Sequence, residues 1–133
     1  MKENKFRVYC EIEFEGKITK CMESPASWFL MTQTGKLWTH DPAEAPRPLE
    51  KEYKVAIPLF YTGFKDKDKV EIYEGDILNG DFPDVVFWDD DRGQWRLRNS
   101  ENPDDTLWEI IRDNNPEIIG NIYMNPELLK HGA

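Results

Sequence analysis

The sequence predicts a mainly β fold, a small barrel or sandwich of short strands with one or two short helices near its end. Three observations carry this. Apolar residues fall in short runs separated by Gly, Asn and Asp turn signals. Aromatics make up 13% of the chain and include five Trp, too rich in large apolar side chains for disorder despite 32% charged residues. At 133 residues the chain fits one domain or two closely packed subdomains. It buries roughly two-thirds of its unfolded surface, enough to hold a core without metal, cofactor or disulfide.

The first strand is Arg7 to Phe14, which alternates with Cys10, Ile12 and Phe14 on one side. Ile18 to Met22 returns across a hairpin tipped near Glu15-Gly16-Lys17. Two registers are open. A two-residue loop sets Cys10 opposite Cys21. A three-residue loop sets Cys10 opposite Met22 and Phe14 beside Ile18, and it is the expected one because it matches apolar faces better. Cys10 and Cys21 are read as free thiols, since disulfides are rare in the cytosol, and two Cys at this spacing are too few for a metal site. Trp28 to Thr32 and Lys36 to Thr39 then flank a turn at Gln33-Thr34-Gly35.

Residues 41–52 hold Pro42, Pro46 and Pro48, too dense for a paired strand or a helix interior. They read as an extended connector that closes a strand-rich subdomain over 1–50 and leads into a second over 53–133.

The second part opens with Tyr53 to Tyr61, with Pro58 at an edge or bulge and Thr62-Gly63 as punctuation. Residues 65–69 form a charged turn, Glu74-Gly75-Asp76 another, and Ile77-Leu78 resumes an apolar strand. Val85 to Trp88 and Trp95 to Arg98 flank a five-residue loop, Asp89 to Gly93. Thr106 and Glu109 have capping-box spacing, so a short helix is expected at 106–113, with Leu107, Ile110 and Ile111 on one face. Glu117 to Tyr123 is a final strand. Asn125-Pro126 reads as a cap before one helical turn.

Charge is unevenly placed. Residues 1–55 hold nine Lys/Arg against nine Asp/Glu, whereas residues 56–133 hold eight against seventeen, so the whole net charge of −9 lies in the second part. An acidic surface repels nucleic-acid backbone and favours basic partners. No apolar stretch approaches the ~20 residues that span a bilayer, and Met1 to Lys5 precede no apolar signal segment. The expectation is a cytoplasmic protein with no membrane partner.

Two blocks carry a family resemblance. The stretch from Tyr61-Thr62-Gly63-Phe64 through Glu71-Ile72-Tyr73-Glu74-Gly75-Asp76-Ile77, and the stretch Glu117-Ile118-Ile119-Gly120-Asn121-Ile122-Tyr123-Met124-Asn125-Pro126-Glu127-Leu128-Leu129, resemble the signature of the YopX-like bacteriophage and prophage proteins. The resemblance covers about residues 57–129; residues 1–50 match only in being strand-rich. It implies an SH3-type small barrel in the second part and a phage or prophage origin. It implies no reaction and no catalytic residues. The chain departs from the family at Asp68-Lys69, where Asn-Gly is common, at Val70 in place of Lys, and at Met124 in place of Glu. Without the Gly, a different turn geometry is expected at Lys69.

The candidate chemistry is sparse. Asp89, Asp90 and Asp91, with Asp84 nearby, resemble a cation site in composition, but adjacent side chains in an extended stretch diverge, so a solvated hairpin tip is expected. Asp66 to Glu71 begins like a calcium loop but lacks its glycine and terminal glutamate, which leaves a charged turn. Asp76 is expected to accept backbone N–H bonds in its own turn, and Gly120 to mark a bulge or a close backbone approach. Gly63, Gly75, Gly120 and Pro126 form the structural turn signature. His40 and His131 are the two histidines, and nothing orients either for catalysis. Trp88, Trp95, Arg96 and Arg98 have the types that stack on bases and pair with phosphates. Trp95 and Leu97 alternate with Arg96 and Arg98, however, so the tryptophans are expected in the core and the arginines on the surface.

The functional expectation is a non-enzymatic module that binds a host or phage protein through an acidic surface, with Asp76, Asp89, Asp90, Asp91, Arg96 and Arg98 as contact candidates. Direct nucleic-acid binding through the 85–98 hairpin is the less favoured alternative. Five Trp and several short strands would support homo-oligomerisation through an apolar patch.

Overall fold

The computed structural model describes residues 5–23, 29–32, 36–39, 45, 47–48, 53–79, 83–98 and 106–129. The turn expected at Gln33-Thr34-Gly35, Trp28, His40 and His131 lie outside the described residues. The chain is mainly β and divides into two compact units, residues 1–60 and 61–133.

In the first unit, β1 (Phe6–Phe14) pairs antiparallel with β2 (Lys17–Glu23) on one side and with the opening residues of β6 (Tyr53–Lys65) on the other. A second ladder joins β3 (Phe29–Met31), β4 (Leu37–Thr39) and β5 (Arg47–Pro48). The core draws on both ladders: Val8 and Cys10 from β1, Phe29 from β3 and Leu37 from β4, flanked by Phe6, Ile12, Met31, Tyr53 and Ala56. Phe29 meets Tyr53 edge-on, with ring centroids 5.9 Å apart.

Two expectations are overturned here. The β1–β2 hairpin closes with the two-residue loop, so Phe14 faces Lys17 and Cys10 faces Cys21. Turn chemistry decides it. Glu15 (φ 52°) and Gly16 (φ 78°) are both left-handed, the geometry whose twist matches a tight hairpin. The register leaves Phe14 and Ile18 largely exposed, which is what apolar matching would have avoided. The Pro-rich stretch is also not wholly outside the ladders, because Arg47 and Pro48 pair with Thr39 and Trp38. β5 is the outermost strand of its ladder, where a proline costs no second hydrogen bond. Pro58 lies opposite Val8 in β6, with no second strand paired at that position among the described residues.

In the second unit, the closing residues of β6 pair with β7 (Glu71–Tyr73). A four-stranded ladder then runs β10–β9–β8–β11, built from β8 (Asp76–Leu78), β9 (Asp84–Asp89), β10 (Gln94–Leu97) and β11 (Ile118–Asn121). The helix α1 (Leu107–Asn114) starts where the capping spacing placed it: the Thr106 hydroxyl accepts from Glu109 N–H at 3.2 Å. It stops at Asn115, which turns left-handed (φ 44°) and donates its N–H to Ile111 O. Leu107, Ile110 and Ile111 pack on Ile72, Leu78, Val86 and Leu97, with Phe64, Trp95 and Ile118 at the margin.

Lys69 departs from expectation in the opposite sense to the hairpin. It holds a left-handed φ of 68° although it is not glycine. Lys69 N–H donates to Asp66 O, and the Asp66 carboxylate accepts from the amides on either side, Asp68 and Val70. The turn is therefore imposed by Asp66 rather than by the residue at its apex.

A left-handed L-residue costs roughly 1–2 kcal/mol, and Asn tolerates that region better than most. Replacing Glu15 with Asn should raise stability by about 0.5–1 kcal/mol, read as a higher urea midpoint at unchanged slope.

Candidate functional site

The two sequence blocks singled out above meet in the second unit. β8 carries the end of the first and β11 the start of the second, and Asp76 faces Asn121 across the ladder. Three buried polar side chains knit them. Asp76 is 1% exposed; its Oδ2 accepts from Tyr73 N–H at 2.8 Å, closing the Glu74-Gly75 turn as anticipated. Its Oδ1 accepts from Asn121 Nδ2 at 3.3 Å. Asn121 Oδ1 in turn accepts from Tyr123 N–H at 2.9 Å.

Asp66 holds the same two blocks from another side. Its Oδ1 accepts from Asp68 N–H and Val70 N–H at 2.8 and 2.9 Å, and its Oδ2 reaches Ile118 N–H at 3.1 Å. Burial pushes this carboxyl up, but the Val70, Ile118 and Asp68 amides outweigh it and hold the acid below its ordinary 3.8. A charged turn was expected at Asp66. The structure places a buried clamp there, with Lys67, Asp68 and Lys69 forming the solvated part.

Glycine is required at two points in this knot. Gly75 is left-handed (φ 86°), and a Cβ there would lie 3.2 Å from the Tyr123 ring. At Gly120 a Cβ would lie 2.6 Å from Leu128 Cδ1 and 2.9 Å from Asn125 Oδ1. This is the close approach, and the ladder register shifts between Ile118 and Gly120 as a bulge should. Pro126 opens the 3-10 turn Pro126–Leu129. Asn125 does not cap it by side chain. Its Oδ1 accepts from Asn121 N–H at 3.2 Å, and its main-chain oxygen takes Leu128 N–H.

The 85–98 hairpin differs from its reading in three respects. Asp89 belongs to β9 and pairs with Gln94, leaving a four-residue loop, Asp90 to Gly93. Asp89 is 8% exposed and Arg96 7% exposed, joined at 3.1 Å, with Arg92 on the same carboxylate oxygen at 3.2 Å. Burial pushes the Asp89 carboxyl up, but Arg96 and Arg92, with the amides of Arg92 and Asp91, hold it below the ordinary range. Trp88, expected in the core, is 42% exposed and meets Trp95 edge-on at 5.1 Å. Trp88 and Trp95 continue the row of Val86 and Leu97 beyond the core, while Arg96 is buried on the opposite face because Asp89, its diagonal neighbour there, neutralises it.

Of the contact candidates, Asp76, Asp89 and Arg96 are thus buried against the chain's own partners, while Asp90, Asp91 and Arg98 are exposed. Arg98 lies over the Phe87 ring, 5.2 Å from its centroid. Burial raises the Tyr123 phenol, the Glu74 charge adds to the rise and the Arg98 charge opposes it. Glu74, Arg98 and Tyr123 come from three turns and Phe87 from β9, with no shared motif, and of the four only Arg98 was a contact candidate in the sequence. Among the described residues, no three His, Cys, Asp or Glu side chains gather in a way that would hold a metal ion.

Asp66→Asn should cost about 1–3 kcal/mol, since one carboxylate oxygen becomes an amide donor facing an N–H. The wild-type contribution is complete above pH 3.8 and is lost as pH falls through the lower folded value. Thermal melts from pH 6 to pH 2 should therefore fall less steeply in the variant. Gly120→Ala should cost about 1–3 kcal/mol through overpacking against Leu128 and Asn125, measured by urea unfolding.

No curated protein matches the chain. The crystal structure of protein EF1440 from Enterococcus faecalis is similar in fold, with a TM-score of 0.58 and 21% identity over 96% of this chain and 99% of that one. The family described as YopX protein matches residues 5–130, so the likeness reaches well beyond the two blocks into the first unit. The chain belongs to the YopX family.

Proposed function

We propose that this chain is a non-enzymatic protein-interaction module of phage or prophage origin, working in the host cytoplasm. Its partner is a host or phage protein with a basic surface, contacted through the acidic tip at Asp90 and Asp91 and the adjoining Arg98. In the finer reading of the fold, the strands of the second part form an SH3-type small barrel.

The observation that carries this reading is how cations are spent in the second unit. Arg92 and Arg96 are both on Asp89, Lys67 is on Glu117 at 3.3 Å, and Arg112 makes a two-pronged contact with Asp113. Arg112 also lies over the Trp108 ring at 4.6 Å. Four of the eight basic residues in 56–133 are thus neutralised within the chain, in a segment whose carboxylates outnumber them more than twofold. What faces a partner is mostly negative.

A second reading, a nucleic-acid-binding barrel, draws on the exposed Trp88 beside Trp95 and on Arg98. It needed Arg92, Arg96 and Arg98 to join Lys65, Lys67 and Lys69 in one basic face, and the pairing of Arg92, Arg96 and Lys67 counts against it.

Immobilised protein should retain a stoichiometric partner from host lysate at low salt and release it at moderate salt. The double replacement Asp90→Lys with Asp91→Lys should weaken that binding about tenfold, with the fold intact because neither side chain is buried. A partner indifferent to both salt and charge reversal, or none at low salt, rejects the proposal. A gel shift at micromolar protein with log-linear salt dependence would favour the nucleic-acid reading instead.

A further inference from the structure

The β1–β2 register sets two thiols face to face. Cys10 and Cys21 are directly opposed across the ladder and both are free. Counting outward from the tight pair Phe14 and Lys17, Cys10 and Cys21 fall on a hydrogen-bonded position, where facing Cα atoms are about 5.5 Å apart. A disulfide accepts a Cα separation of about 4.4–6.8 Å. Facing residues also project to the same side of the sheet. A slip of one residue would send the two thiols to opposite faces.

We propose that Cys10 and Cys21 form an oxidation-sensitive dithiol that closes into a cross-strand disulfide when a peroxide reaches the exposed edge of the hairpin. Cys21 is the entry point, being only half-buried on the outer strand β2. Its sulfur attacks one peroxide oxygen, the O–O bond breaks, and Cys21 becomes a sulfenic acid as the first water leaves. The Cys10 sulfur then attacks the sulfenic sulfur, the S–S bond forms, and the hydroxyl leaves with the Cys10 proton as a second water. Two thiols have lost two electrons and two protons, and the peroxide has gained them.

Cys10 suits the resolving role. It is fully buried, and burial, followed by the nearby Cys21, pushes its thiol up to about 12. It is therefore a poor first nucleophile, yet it is already placed beside the sulfur it must meet. In a reducing compartment the pair rests as thiols, and closure is transient. Closure pins the outer strand β2 to β1 and so rigidifies the exposed hairpin that carries Phe14 and Ile18.

The test treats the full-length chain with hydrogen peroxide, quenches with an alkylating agent, and reads intact mass and the peptide map. The expected result is loss of two hydrogens, one Cys10–Cys21 linkage, and reversal by dithiothreitol. Amide exchange in β2 should slow about tenfold in the oxidised form. A register control, Cys21→Ser with Met22→Cys, moves the outer thiol by one residue to the other face. It should link to Cys10 at least tenfold more slowly, with folding verified by circular dichroism. Oxidation of Cys21 to sulfinic acid with Cys10 left as thiol, covalent dimers without the internal bond, or equal linkage in the register control would each overturn the proposal.

Discussion

Partly buried main-chain amides need acceptors, and in the second unit a carboxylate supplies them across a long stretch of chain. Asp66 takes two amides from its own turn and a third from Ile118, at the entrance to β11. Asp76 does the same on a smaller scale for Tyr73 and the Asn121 side chain. An unsatisfied buried amide costs more than a made hydrogen bond returns, so these acceptors fix which strands lie together. The left-handed Lys69, the tight contact at Gly75 and the bulge at Gly120 all follow from that placement. This accounts for why the two characteristic blocks sit far apart in sequence and side by side in β8 and β11.

The same economy changes what the net charge of −9 means. Asp66, Asp76 and Asp89 are among the carboxylates that make the chain acidic, yet each is turned inward. Their role is internal, as acceptors for amides and arginines. The external field is set by the others, among them Asp90 and Asp91 at the hairpin tip. A count of charged residues mixes the two populations, and burial separates them.

Strand existence was legible because alternation and turn residues act locally. The helix at α1 was legible for the same reason, since Thr106, Glu109 and the row Leu107, Ile110 and Ile111 all fall within eight positions. What depends on distant contacts was not. Whether Cys10 faces Cys21 or Met22 turns on two backbone angles at Glu15 and Gly16, and apolar matching pointed the wrong way. Alternation separated Trp95 from Arg96 correctly, but it did not reveal that the core ends before Trp88 or that Asp89 would make Arg96 tolerable inside. Asp66 looked like one charge in a charged turn. Its role rests on an amide 52 positions later, and an aspartate able to accept from the amide two residues on was the one local hint.

That separation has a consequence for how the polypeptide is made. The first unit holds its ladders and core within residues 5–60, all of them translated before the second unit is complete. The second unit waits. Until Ile118 and Asn121 have been translated, Asp66 and Asp76 hold their local amides but not these two distant donors, and β8 lacks its β11 neighbour. A nascent chain halted between those points would expose the apolar strands β8 and β9 with their ladder incomplete, the kind of surface through which unfinished chains aggregate.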